Sequence, residues 1–269
     1  MATVKTRCTP IVALDVPDAT AAVRLVDDLG ESCRFYKIGS ELFAAEGPAV
    51  VRTVLAKGAS VFLDLKFHDI PNTVQGAVKS AALLGAKIVT VHAAGGRAMM
   101  EAAVRGAREA AAAKGADMPA DAISTGVWQQ VIQAAMTEVF AVTVLTSLDG
   151  AALGTIWGRQ IESPEGEVLR LAQHAMGAGV NGIVCSGQEA PAVRAKFGSL
   201  LPMLIPGIRR SGDAAQDQAR VVTPREAAEA GAKYIVLGRT VTGAKSPRTA
   251  MEEVLALLQF DPAKDWGPR

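Results

Sequence analysis

Apolar residues along the chain fall into eight short runs: "IVALD" (Ile11–Asp15), "RFYKIG" (Arg34–Gly39), "VFLDLK" (Val61–Lys66), "KIVTVHA" (Lys87–Ala93), "VFAVTVLTS" (Val139–Ser147), "GIVCS" (Gly182–Ser186), "LPMLIPG" (Leu201–Gly207) and "YIVLG" (Tyr234–Gly238). Each reads as a buried strand. Between them the spacing turns helical. From Val168 to Met176, for instance, Val168, Leu171, Ala172, Ala175 and Met176 share one face and His174 points away from it. Gly58, Gly85 and Gly115 stand where helix C-terminal caps are expected. Eight alternating β and α units predict a closed (β/α)8 barrel, with residues 1–269 forming a single domain around one core. An open doubly wound sheet is the alternative, but it wants a Gly-rich dinucleotide turn after the first strand, and "LDVPDAT" is not one.

Two connections exceed the usual loop length. Residues 116–138 predict a helical insertion before strand 5, where "VWQQVIQAAM" spaces Val127, Val131 and Ala135 helically on the barrel's stability face. Residues 208–223 form a polar loop after strand 7, on the face where a mobile lid belongs; 148–164 is a weaker second candidate.

Composition narrows the ligand more than the fold. A chain of 269 residues, 49% hydrophobic and 20% charged, reads as an ordinary globular protein. Its net charge of +1, with both signs interspersed, predicts a small-molecule ligand and neither nucleic acid nor a basic partner. The N-terminus lacks a signal-like apolar segment and no run is long enough to span a membrane, so a cytoplasmic location is expected. Cys8, Cys33 and Cys185 are odd in number and widely spaced, which argues for core or surface thiols over a disulfide or zinc site.

A barrel places its chemistry at the C-terminal ends of the strands. There stand Asp15, Lys37, Asp64 with Lys66, His92, and Thr146 with Ser147. Asp64 and Lys66 are two apart, so an extended backbone sends both to one face, and Asp69 follows where Ile70-Pro71 turns the chain. A lone Asp-x-Lys reads equally as a solvated ion pair; polar groups on the same edge strand after strand favour a site. After strands 7 and 8, "PGIRR" and "LGRTV" bring Gly207, Arg209, Gly238 and Arg239, with Gln218 in the loop between them, which suits a phosphorylated substrate.

With these residues in place, the chain resembles the orotidine 5′-monophosphate decarboxylase family from Ile11 to about Phe260. The resemblance lies in "DLKFHDIPNT", "VALD", "YKIG", "VTVLTS", "PGIRR…DQARVVTP" and "VLGRTV", which keep the family's order. The insertion at 116–138 and the connection after strand 5 are longer than compact members carry. The resemblance implies cofactor-independent and metal-independent decarboxylation of orotidine 5′-monophosphate to uridine 5′-monophosphate in pyrimidine biosynthesis. It makes Lys66 the proton donor in an array of Lys37, Asp64, Lys66 and Asp69, and implies a homodimer whose partner supplies Asp69 and Thr73. Asp15 and Lys37 would contact the ribose, Thr146 with Ser147 the pyrimidine, and Arg209, Gln218, Gly238 and Arg239 the phosphate region. His68 is read as structural support, and His92 as undecided with packing favoured.

The chemistry fits that reading. Decarboxylation leaves a localised carbanion with no electron sink, so a fixed cation must meet it and then protonate it. Rivals are a magnesium-dependent sugar-phosphate decarboxylase or aldolase sharing Asp-x-Lys-x-x-Asp, a Schiff-base aldolase, which needs an unpaired lysine, and a non-catalytic nucleotide sensor.

Overall fold

The computed structural model describes residues 8–116, 136–209 and 221–266. Eight parallel strands close into a barrel in sequential order: β1 (Thr9–Ala13), β2 (Phe35–Gly39), β3 (Ser60–Phe67), β4 (Ile88–His92), β5 (Glu138–Val142), β6 (Gly182–Val184), β7 (Met203–Ile205) and β8 (Tyr234–Leu237). β8 returns to pair with β1, from Thr9 opposite Tyr234 to Val12 opposite Leu237. The described helices are α1 (Ala19–Leu29), α2 (Ser40–Glu46), α3 (Pro48–Ala56), α4 (Pro71–Leu84), α5 (Arg97–Ala116), α6 (Gly150–Trp157), α7 (Pro164–Gly177), α8 (Ala190–Phe197), α9 (Pro224–Glu229), α10 (Arg239–Thr242), α11 (Pro247–Leu258) and α12 (Pro262–Asp265). This is the (β/α)8 architecture that the alternating runs predict. None of the described helices is long and apolar enough to cross a membrane.

Strands buried on both faces produce two apolar compartments. Inside the barrel, alternate residues such as Ile11, Phe35, Phe62, Ile88, Phe140 and Tyr234 pack together. Tyr234 meets Phe35 and Phe140 edge-on, and its hydroxyl reaches Glu138 at the N-terminal rim. The intervening residues, among them Val12, Tyr36, Leu63 and Val89, face the helices and form the larger cluster. Each fully buried Leu, Val or Phe contributes roughly 1.5 to 3 kcal/mol by leaving water, so this doubly covered sheet is a rigid base for groups on its rim. In α7, Val168, Leu171, Ala172 and Ala175 are buried and His174 is exposed, as their spacing predicts. Cys8, Cys33 and Cys185 are buried thiols in the core; burial pushes Cys8 and Cys33 each up to about 12.

Several boundaries differ from the sequence expectation. β1 stops at Ala13, leaving Asp15 in the loop beyond it. β5 stops at Val142, and Val144 stays buried after leaving the sheet, which explains why the apolar run overshoots the strand. The stretch 148–164 contains α6, whose N-cap Asp149 accepts from the Ala152 N–H. Gly58 and Gly85 take the left-handed backbone expected just after a helix, with φ of 76° and 107°. Gly115, by contrast, lies within α5. The extra helix expected in 116–138 and most of the lid expected in 208–223 lie outside the described residues.

Candidate active site

Because side chains alternate along a strand, the residues that continue the interior columns upward meet at the barrel mouth. β1 leads from Ile11 and Ala13 to Asp15, β2 from Phe35 to Lys37, β3 from Phe62 to Asp64, and β4 from Ile88 to Thr90. Apolar layers thus give way to charge within one step of the pleat. Above them opens a cavity of about 470 Å³ lined by Asp15, Lys37, Asp64, Lys66, Thr146, Gly207, Arg209, Gly238 and Arg239.

The carboxylate of Asp64 organises the charged wall. Its Oδ2 accepts from Lys66 Nζ at 2.8 Å and lies 3.8 Å from Lys37 Nζ, and Lys37 Nζ also donates to Asp15 Oδ1 at 2.8 Å. The other oxygen, Oδ1, accepts from the Thr90 hydroxyl at 2.9 Å. Asp64 is 8% exposed, so its two strong partners offset the cost of burying a carboxylate. Gly39, two residues after Lys37 on β2, has no side chain; a Cβ there would stand 3.0 Å from Lys37 Nζ.

Lys66 reaches Asp64 by a route that simple alternation does not describe. The backbone is not extended at Lys66, whose φ is +50°. β3 and β4 pair at Leu63 with Val89 and again at Phe67 with Val91, so Asp64, Leu65 and Lys66 oppose the single residue Thr90. This bulge turns the Lys66 side chain over the cavity. The Lys66 N–H donates to Thr90 Oγ1 at 3.0 Å.

On the opposite wall, the loops after β7 and β8 converge. Gly207 has φ of 77°, a conformation that glycine adopts without a Cβ penalty. Arg209 is buried, with Nη1 on the Ile208 carbonyl, and Arg239 is exposed on the cavity edge. The two ends of the loop after β7 are joined: Ile208 bridges Val222, the Arg209 N–H donates to the Val222 carbonyl, and Thr240 Oγ1 donates to the Ile208 carbonyl. Thr223 and Glu226 then form a capping box that starts α9. Gln218 lies outside the described residues.

Asp69 and Thr73 are exposed and do not line the cavity of their own chain. Ser147 is also exposed and off the cavity wall. His68 and His92 face each other with ring centroids 5.5 Å apart, beside the array and not in it. Burial, reinforced by His68 and Lys66, holds His92 below the usual imidazole range, and Asp64 partly opposes the shift. The residue missed by sequence reading is Thr90. Its signal was the interior period running Ile88, Thr90, His92, which puts a hydroxyl beside Asp64. Among the described residues, no three His, Cys, Asp or Glu side chains gather as a metal donor set.

Sequence comparisons give this fold and site a lineage. The profile of the orotidine 5′-phosphate decarboxylase / HUMPS family matches residues 9–254, and the chain belongs to that family. It is 47% identical to the orotidine 5′-phosphate decarboxylase of Anaeromyxobacter sp. (strain K) over 91% of this chain and 96% of the relative. To the enzyme of the same name from Moorella thermoacetica it is 43% identical, over 93% of this chain and 92% of that one. Among solved structures, orotidine 5′-phosphate decarboxylase from Lactobacillus acidophilus superposes with a TM-score of 0.76 at 32% identity, covering 94% of this chain and 99% of the other.

Proposed function

We propose that this chain, as one barrel domain, decarboxylates orotidine 5′-monophosphate to uridine 5′-monophosphate in pyrimidine biosynthesis, with Lys66 as the proton donor. The observation that carries this reading is the Lys37–Asp64–Lys66 array on one wall of the cavity, in a chain of this family. Asp64 holds the Lys66 ammonium at 2.8 Å, fixing its position before substrate arrives. The ring carbon's bond to the carboxylate breaks, carbon dioxide leaves, and the electron pair stays on the ring carbon. The ammonium, already held in place by Asp64, stabilises that pair by proximity and then transfers a proton to it. Solvent restores the lysine's proton.

The remaining residues orient the substrate. Asp15 and Lys37 suit the ribose hydroxyls and Thr146 the pyrimidine edge. Gly207, Arg209, Gly238 and Arg239, across the cavity from the charged array, suit a phosphate anchor; Gln218 joins them in this assignment. Asp69 and Thr73 are assigned to the neighbouring site of a homodimer. No step needs a metal or an organic cofactor.

The test is a spectrophotometric assay of the purified protein with orotidine 5′-monophosphate, before and after exhaustive chelation. Turnover unaffected by chelation is expected. A folded protein that binds the nucleotide without converting it would establish the sensor instead, and activity restored by added magnesium would favour the sugar-phosphate rival.

A further inference from the structure

We propose that Thr90 is a positioning residue for the proton donor, its one hydroxyl clamping both ends of the β3 bulge that aims Lys66. The inference rests on the assignment of Lys66 as donor. Thr90 has no solvent exposure, and its Oγ1 makes two bonds at once: it donates to Asp64 Oδ1 at 2.9 Å and accepts from the Lys66 N–H at 3.0 Å. These roles are not interchangeable. A carboxylate is acceptor-only and a backbone N–H is donor-only, and a hydroxyl donates and accepts through a single oxygen, which suits it to stand between them.

Each bond controls a different part of the donor. The bond to Oδ1 sets the plane of the Asp64 carboxylate, and that plane decides where Oδ2 holds the Lys66 ammonium. The bond from the Lys66 N–H gives a partner to a main-chain donor displaced from regular pairing where three residues of β3 oppose one of β4. It also anchors the backbone where φ is +50°, a conformation a lysine does not favour. Thr90 touches none of the reacting atoms and does not line the cavity. Its effect is therefore expected in the chemical step more than in substrate binding.

The experiment compares Thr90→Val, which keeps the shape and removes the hydroxyl, with Thr90→Ser, which keeps the hydroxyl. Displacing a catalytic group by a fraction of an ångström to one ångström costs up to about a hundredfold in rate. Thr90→Val is expected to lower kcat by roughly ten- to a hundredfold while KM and the affinity for uridine 5′-monophosphate change by less than about threefold. Thr90→Ser is expected to recover most of the rate. If the valine variant does not fold, Thr90→Ala replaces it against the same serine control. Wild-type kcat in a folded variant without the hydroxyl, or equal loss in the serine variant, overturns the proposal. Lys66→Ala is measured alongside: normal turnover there would overturn the donor assignment itself, whereas an inactive Lys66→Ala beside a fully active Thr90→Val removes only the role of Thr90.

Discussion

Lys66 does two jobs that compete at a single residue. Its side chain must extend over the cavity, yet its backbone sits at φ +50°, where a non-glycine residue costs about 1 to 3 kcal/mol. The hydrogen bond to Thr90 and the ion pair with Asp64 offset part of that cost. Replacing the lysine separates the two effects. Lys66→Ala and Lys66→Gly should both lose nearly all turnover while still binding uridine 5′-monophosphate, because each removes the proposed donor and no core volume. Glycine tolerates the backbone conformation and alanine does not, so the glycine variant should be the more stable of the two by about 1 kcal/mol, or roughly 2 to 4 °C in melting temperature. Near-normal turnover in either variant would remove Lys66 from the mechanism, and an alanine variant as stable as the glycine one would show that the backbone is not strained.

At the scale of elements, the strand ends show why the site was partly legible. Alternation along β1, β2 and β3 put Asp15, Lys37 and Asp64 on the interior columns, and the same period carries real side chains into the cavity. The bulge at 64–66 was not legible, because it shows only in the pairing with the neighbouring strand, where Thr90 meets the Lys66 N–H, and not in the local pattern of β3. Gly115 misled in another way: α5 continues through it to Ala116. The end of β4 gives a prediction about pH. His92 is held below its usual range chiefly by burial, and the groups facing it are His68, Lys66 and Asp64. As pH falls through about 6.5, the unfolded chain takes up a proton that folded His92 still refuses. The stability due to neutral His92 is thus complete above that pH and is lost on the way down to the folded value. Melting temperatures of wild type and His92→Gln between pH 8 and pH 5 should show the wild type losing more; parallel curves would refute the linkage. The loops after β7 and β8 give another. If Arg239 anchors phosphate, Arg239→Ala should lower kcat/KM for the nucleotide on the order of a hundredfold and leave the slow turnover of the nucleoside nearly unchanged. Equal penalties on both substrates would mean that the arginine reads something else.

The whole molecule leaves one part of the proposed array unaccounted for within a single chain. Asp15, Lys37, Asp64 and Lys66 share the cavity, but Asp69, on the exposed turn into α4, and Thr73, in its first turn, stand outside it near Ile70 at 67% exposure. The Asp69 carboxylate accepts from the Ile70 N–H at 2.6 Å, a bond within its own turn. If a second copy supplies Asp69, as proposed, a two-fold axis makes the exchange reciprocal, so that each chain completes the other's site. Complementation tests this directly. Lys66→Ala and Asp69→Ala homodimers should each be inactive or nearly so. Co-expressed with different affinity tags and purified through both, the mixed dimer carries one site with neither residue and one with both, so about half of the wild-type activity per dimer should return. Purified mixed dimers as inactive as their parents would place Asp69 in its own subunit's site, and a fully active Asp69→Ala homodimer would remove it from the array.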